Sequence, residues 1–396
     1  MSELPAIPGG WRILELGARP DYFAVWNAIR EQSPVHDAGE GVFLVSRWEL
    51  VNAALRNPEL EAGGGVSESF GGAGGPVETV VRNWLMSLNG EEHRLARGLV
   101  SRLFAPKAVA DLEPAVRGVA RALVGSFVAA VKEGSADFVD LVSTRLPSEV
   151  VRRLFAIDPA EWSAEVEPLF KGAAASEADA FAAVQGLAPY FHKKLQSSGN
   201  QPLGGVIDQL RMEDKAGRRL TEAEVMANSV LIVTAAIDTT AGLIANTFYA
   251  LLENPSEMMR VRSEPALIPG AVDESLRYCP SAPSTTRRTR VTFDLGGVRI
   301  PAGSDLFLSL AAANRDPRKF DEPDRFLVGR DASALLTFGG GAHFCLGAAL
   351  ARLEVRILFE ELLRAGSNFA LAGPVRWRTN NPSVRVPQEL LISASR

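Results

Sequence analysis

Phe338-Gly-Gly-Gly-Ala-His-Phe-Cys345-Leu-Gly347 runs straight into AALARLEVRILFEELL, residues 348–363. Three successive glycines give a loop whose backbone can approach something large and flat. Cys345 stands just ahead of a helical pattern. Amide N–H groups at a helix N-terminus, with the dipole behind them, favour an anion, here a thiolate. One thiolate held by backbone donors on a glycine loop is what axial ligation of haem iron needs. A lone cysteine is more often a packed structural thiol, so the rest of the chain must decide between the two.

Composition narrows the field. The chain has 396 residues, 46% of them hydrophobic and 22% charged, which is a globular balance and excludes a mainly disordered protein. A net charge of −5 lacks the basic excess of a nucleic-acid binder. Two cysteines, Cys279 and Cys345, and four histidines, His36, His93, His192 and His343, exclude a disulfide framework and leave no room for several zinc sites. The start, MSELPAIPGGWRILELG, has no basic stretch followed by an apolar core, so no signal peptide is expected. Residues 229–252, SVLIVTAAIDTTAGLIANTFYALL, are long enough to span a bilayer. Asp238 in their middle argues instead for a helix buried all round inside a soluble protein. A cytoplasmic, membrane-free protein is the expectation.

The remaining patterning is mostly helical from about 91 to 260 and again over 347–364. Thr221-Glu-Ala-Glu224 reads as a capping box that opens the long apolar helix. GVFLVSRWEL (41–50) opens as a strand, and 291–310 reads as β-hairpins. The glycine-rich stretch 61–76 reads as a functional loop. No repeat or clean linker appears. The predicted fold is mainly α with small β-sheets, one large domain over residues 1–396.

Three further clusters carry chemistry. Asp238-Thr239-Thr240 puts polar groups into the apolar helix, where Thr can bond back one turn and the local break can admit a water or diatomic ligand. Glu274-Ser-Leu-Arg277 places opposite charges on one helix face. His93 and Arg97, four apart, share another. Each has a bland reading, respectively a bend, an exposed ion pair and a solvated helix.

At Phe338, Gly339, Gly341, His343, Cys345 and Gly347 the segment resembles the haem-binding signature of the cytochrome P450 haem-thiolate monooxygenases, at every fixed position. A packed structural cysteine does not account for six matches. The resemblance runs collinearly from about His93 to the C-terminus. It implies the cytochrome P450 fold wrapped around haem b, iron protoporphyrin IX. Cys345 would be the proximal iron ligand, Phe338 would pack near the sulfur, and His343 would reach a haem propionate. Gly339, Gly347 and Ala235 would also lie against the cofactor. His93, Arg97 and Arg287 would hold propionates, although neighbouring Arg288 and Arg290 leave the register of the last open. Asp238 and Thr239 would be the acid and alcohol that manage protons during dioxygen activation. The family commonly has Gly where this chain has Ala236. Glu274, Arg277 and Arg325 would form a buried network fixing the cysteine loop.

The resemblance further implies a monooxygenase that hydroxylates or epoxidises an apolar small molecule, a secondary metabolite such as a macrolide or polyketide. Positions expected to face that substrate are Phe70, Trp84, Leu85, Met86, Leu231, Thr234, Ala282, Thr286, Ser383 and Val384. The chain shows no flavin or nicotinamide fingerprint. Electrons are therefore expected from a separate donor, which the resemblance implies is a ferredoxin and its reductase, docking through Arg102, Lys107 and Arg352 on the Cys345 face of a monomer. Three alternatives stay open: a same-fold enzyme that couples or rearranges its substrate without oxygen insertion, a non-catalytic haem or gas-binding protein, and a helical binding protein with no haem.

Overall fold

The computed structural model describes residues 21–63, 75–170, 177–199, 201–378 and 384–394. Helix α1 (Tyr22–Gln32) leads into strands β1 (Val35–Asp37) and β2 (Val42–Val45), helix α2 (Trp48–Arg56) and strand β3 (Leu60–Glu61). Helices α3 (Gly75–Arg82), α4 (Gly90–Val100) and α5 (Glu113–Glu133) follow. After β4 (Ser135–Asp137) come α6 (Arg145–Leu154), α7 (Glu177–Ser198), the long α8 (Glu222–Glu253) and α9 (Ile268–Tyr278). Strands β5 (Ser284–Thr289), β6 (Phe293–Leu295), β7 (Val298–Ile300) and β8 (Asp305–Ser309) precede α10 (Ala348–Arg364). Short strands close the chain: β9 (Phe369–Leu371), β10 (Arg376–Trp377), β11 (Pro387–Glu389) and β12 (Leu391–Ala394).

Helix α8 organises the interior, and its start is chemically specified. The Glu224 N–H donates to Thr221 Oγ1 at 3.2 Å, and the Thr221 N–H donates to the Glu224 carboxylate at 2.7 Å. This capping box satisfies two donors that a helix end would otherwise leave free. The 32 residues of α8 span about 48 Å. Val225, Val230 and Ile237 pack in one apolar cluster with α3, α4 and α7. Leu243, Phe248 and Leu251 pack in a second with α5, α9 and α10. In that second cluster the Phe248 ring lies 4.5 Å from Phe138 and 6.1 Å from Phe359. Burial of one such side chain contributes about 1.5–3 kcal/mol.

Between the two clusters burial stops. Ala235 is exposed, and Leu231, Thr234, Asp238 and Thr239 are half-buried, in the middle of a helix otherwise enclosed. Helices α5 and α8 both have the length and apolarity of a membrane span, but 67% of the α8 window is buried inside the protein. That is the signature of a core helix.

The largest sheet has the order β1-β2-β8-β5-β3, with β2 and β8 parallel and the other pairs antiparallel. Side chains alternate across a strand, and this resolves the three arginines of the β5 region. Arg287 points into the protein and is buried. Arg288, opposite Asp305 in the ladder, makes two bonds to that carboxylate at 2.9 and 2.7 Å. Arg290 is exposed and lies 3.7 Å from Glu61.

Candidate active site

The cysteine loop is shaped by its glycines. Gly339 and Gly341 adopt φ of +72° and +66°, backbone that side-chain-bearing residues rarely accept. Space adds a second constraint, because a Cβ at Gly341 would sit 2.7 Å from the Leu55 carbonyl oxygen of α2. The loop closes where the Cys345 N–H donates to the Phe338 carbonyl at 2.9 Å. Arg352, one turn into α10, stacks its guanidinium 4.6 Å from the Phe338 ring.

Cys345 is solvent-accessible although protein surrounds it on most sides. Burial pushes its thiol above the ordinary range, and this outweighs the opposing pull of the Gly347 N–H, Arg97, the Ala348 N–H and Arg352. The donors suit a thiolate, and a bound metal cation would favour it further. Among the described residues no cluster of three or more His, Cys, Asp or Glu could hold a metal. A metal at Cys345 would therefore have to bring its other ligands with it. Cys279 contrasts sharply. Burial pushes its thiol up to about 12, and its sulfur sits 3.6 Å from the Asn246 carbonyl.

Beside the cysteine loop stands a group of nitrogen donors. His93 of α4 is buried and stacks on His343, ring centroids 4.0 Å apart. Burial and Arg97 lower the His93 pKa to about 4, and burial followed by His93, Arg287 and Arg97 lowers that of His343 to about 3. His93 Nε2 is buried with no hydrogen-bond partner. Arg97 donates to the Phe344 carbonyl at 2.5 Å, tying α4 to the loop. Arg287 reaches only the Thr286 carbonyl at 2.7 Å and Thr285 Oγ1 at 3.4 Å, and burial lowers its pKa to about 10. No described carboxylate lies within ion-pair distance of Arg287 or Arg97. Buried guanidinium and imidazole groups without an acid are costly. The carboxylates of iron protoporphyrin fit this arrangement, just as its iron fits Cys345.

On α8 the Thr239 hydroxyl donates to the Ala235 carbonyl at 2.7 Å, the back-bonding expected of a mid-helix threonine. The Thr239 carbonyl accepts a second bond, at 2.8 Å, from the buried hydroxyl of Ser281. Asp238 Oδ1 lies 3.7 Å from Arg378 Nη1. Ser281 and Arg378 carried no local signal in the sequence, since folding alone brings them to α8.

The charge network needs one correction. Glu274 and Arg277 are fully buried and joined by two bonds of 2.8 Å. Arg325 is not the third member, because its exposed side chain turns outward to Glu322 at 2.6 Å. Only its carbonyl takes part, accepting from Arg277 Nη2 at 3.0 Å. The inward cation is Arg330, whose Nε lies 3.3 Å from Glu274 Oε1 with its side chain 9% exposed. Residues 321–330 are irregular, so no helix or strand period indicates which arginine turns inward.

Phe70 and Ser383 lie outside the described residues. Trp84 and Leu85 are buried in the apolar cluster of the N-terminal half of α8, and Met86 is exposed. Ala282, Thr286 and Val384 are half-buried. Of the three cations expected to dock a partner, Lys107 is exposed and Arg352 pairs with Asp273 at 2.7 Å. Arg102 is otherwise engaged, and this corrects the expectation for it. Its guanidinium donates to the carbonyls of Gln209 at 2.6 Å and Met212 at 2.5 Å, satisfying the end of a short helix.

Comparison with known proteins follows the same lines. A family profile described as Cytochrome P450 matches residues 167–372. The cytochrome P450 monooxygenase PikC of Streptomyces venezuelae is 32% identical over 94% of this chain and 92% of its own length. The cyclomarin C epoxidase CymV of Salinispora arenicola is 32% identical over 92% of this chain and 94% of its own. Among solved structures, a cytochrome P450 from Chondromyces apiculatus superposes with a TM-score of 0.85 at 27% identity, covering 96% of both chains. A mutant of P450 EryK in complex with erythromycin B superposes with a TM-score of 0.82 at 27% identity, covering 98% of both.

Proposed function

Because the chain belongs to the cytochrome P450 monooxygenase family, we propose that it binds haem b through Cys345 and inserts one oxygen atom of dioxygen into an apolar small molecule, by hydroxylation or epoxidation. The observation that carries this is the accessible Cys345 thiol beside four nitrogen-bearing side chains, His93, Arg97, Arg287 and His343, that have no carboxylate partner among the described residues. His93, Arg97, Arg287 and His343 would receive the propionates, and the Gly347 and Ala348 N–H groups would hold the sulfur. When bound, the haem would supply dioxygen activation, and thiolate ligation by Cys345 would favour O–O cleavage. The chain's own part is to orient and dry the site and to move protons. Asp238 and Thr239, whose hydroxyl donates to the Ala235 carbonyl at 2.7 Å, would move those protons.

The substrate class is a secondary metabolite such as a macrolide. Relatives named for cyclomarin C epoxidation and crystallised with erythromycin B support this. A ferredoxin and its reductase would supply electrons to a cytoplasmic monomer whose residues 1–396 form one domain around the haem. The test is the spectrum of the reduced, carbon monoxide-treated protein. A red-shifted Soret band is expected, lost in Cys345→Ala and kept in Cys279→Ala. A parent protein without that band would overturn the reading.

A further inference from the structure

Two segments far apart in sequence meet on α8 within one turn of Thr239, and Gly242 makes room for both. A Cβ there would lie 2.1 Å from Val386 Cγ1 and 2.8 Å from Ser281 Cβ. Hydrogen bonds tie the same segments together. Ser281 Oγ donates to the Thr239 carbonyl at 2.8 Å, and the Arg385 N–H donates to the Ser281 carbonyl at 2.8 Å. Asn246, buried on α8, donates through Nδ2 to the carbonyls of Arg385 at 3.0 Å and Cys279 at 2.9 Å. Residues 281 and 385 are thus fixed to each other and to α8 through their backbones. From this junction the chain runs along β5 to Arg287, which lies in the group with His93, Arg97 and His343. Residues 282–286 therefore span from the interruption of α8 to that group, with Ala282, Ser284, Thr285 and Thr286 half-buried. Where this wall stands is decided by what holds Ser281.

The side chain of Arg385 is held from another direction. Its guanidinium carbon lies 4.7 Å from the centre of the Trp377 ring, 5.0 Å from that of Tyr22 and 5.8 Å from that of Phe23. A second cation shares the cluster. Arg315 lies 3.5 Å from the Phe23 ring and 3.9 Å from the Tyr278 ring, and it donates to the Tyr278 carbonyl at 3.0 and 2.7 Å. Phe23 therefore stands between two guanidinium groups, each drawn to its ring by the quadrupole. The rings of α1 are themselves fixed. Tyr22 and Trp26 are buried, Trp26 stacks on Phe307 of β8 at 6.0 Å, and Arg30 donates to the Ala312 carbonyl at 3.0 Å.

We infer that Arg385 is a positioning residue through which the N-terminal helix α1 sets the wall 282–286, and with it the size of ligand the site accepts. The inference rests on the proposed haem at Cys345. The aromatic cluster grips the Arg385 guanidinium, and the backbone of the same residue carries the links to Ser281 and Asn246. Phe23 and Tyr22 then act on selectivity without touching the ligand. Packed elements transmit such a shift because the interior has little free volume to absorb it.

The test uses the haem-loaded protein with imidazole and 4-phenylimidazole as probes, each followed by the Soret shift that nitrogen ligation of the iron produces. Both ligate through the same kind of nitrogen, and only the second extends toward the walls. Arg385→Met is expected to weaken 4-phenylimidazole about tenfold, the scale of a lost cation–aromatic cluster, and to leave imidazole within about twofold. Phe23→Leu keeps Arg385 and should weaken the larger probe about threefold with the same selectivity, so the test survives poor folding of the methionine variant. Arg385→Lys should stay within about threefold of the parent, because an ammonium also sits over ring faces. Equal weakening of both probes would overturn the inference, as would parent-like binding of 4-phenylimidazole in both Arg385→Met and Phe23→Leu. A parent protein with no carbon monoxide band would overturn the haem reading and this inference with it.

Discussion

Arg287 carries a positive charge into the interior with one hydroxyl and one carbonyl to receive it. Such a group costs stability until a carboxylate arrives. Arg287→Met is therefore expected to leave the urea midpoint of the haem-free protein unchanged or raised. In the haem-loaded protein it should speed haem loss roughly tenfold, the value of one charge-assisted bond, measured by transfer to apomyoglobin. Equal destabilisation of both forms would contradict a propionate role. This residue also shows what sequence can and cannot deliver. That an arginine among residues 287–290 would meet a propionate was an expectation from the resemblance, with its register open. The ladder pairs Arg288 with Asp305 and turns Arg287 inward, which favours Arg287 for that role. His93 and His343 were legible singly; their stacking at 4.0 Å joins two helical segments far apart in the chain and has no local signal.

Helices and loops tell a similar story. The capping box of α8, the helix after Cys345 and the hairpin around residues 291–310 follow from neighbours in sequence, and the fold reproduces them. The network that anchors α9 does not, because its third member comes from an irregular segment. Glu274 accepts the Arg277 guanidinium at 2.8 Å, the Leu327 N–H at 2.9 Å and Arg330 at 3.3 Å. Removing one partner of a buried pair strands the other's charge, at about 3–5 kcal/mol. Glu274→Gln is expected to lose that much in urea denaturation. Arg330→Ala should lose less, and Arg325→Ala should leave the urea midpoint essentially unchanged, as for an exposed pair. The reverse order for the two arginines would restore the assignment drawn from spacing alone.

Over the whole molecule, burial along α8 is interrupted between two apolar clusters. Residues of α4, β5 and the cysteine loop come together from distant parts of the chain, so the proposed site exists only once the chain has closed on itself. The surface beyond Cys345 is where an electron donor would dock, and here the structure separates cations that composition treats alike. Lys107 is exposed, whereas Arg102 is spent on helix-end carbonyls. Lys107→Glu is expected to slow electron transfer from ferredoxin several-fold, chiefly through the association rate and less so at high salt. Arg102→Ala should lower thermal stability with little effect on that rate. Stopped-flow reduction at two ionic strengths distinguishes them.

The contact between Gly341 and Leu55 reaches further than the loop it shapes. The first ninety residues carry no chemical motif, yet α2 leaves the cysteine loop no room for a single extra carbon, 2.7 Å from the Leu55 carbonyl. Recombination between relatives therefore cannot treat that N-terminal part as an interchangeable cap. A crossover that pairs one parent's residues 48–56 with another's 339–341 changes the wall against which the Cys345 loop is set. Productive hybrids should be those that inherit the two segments together.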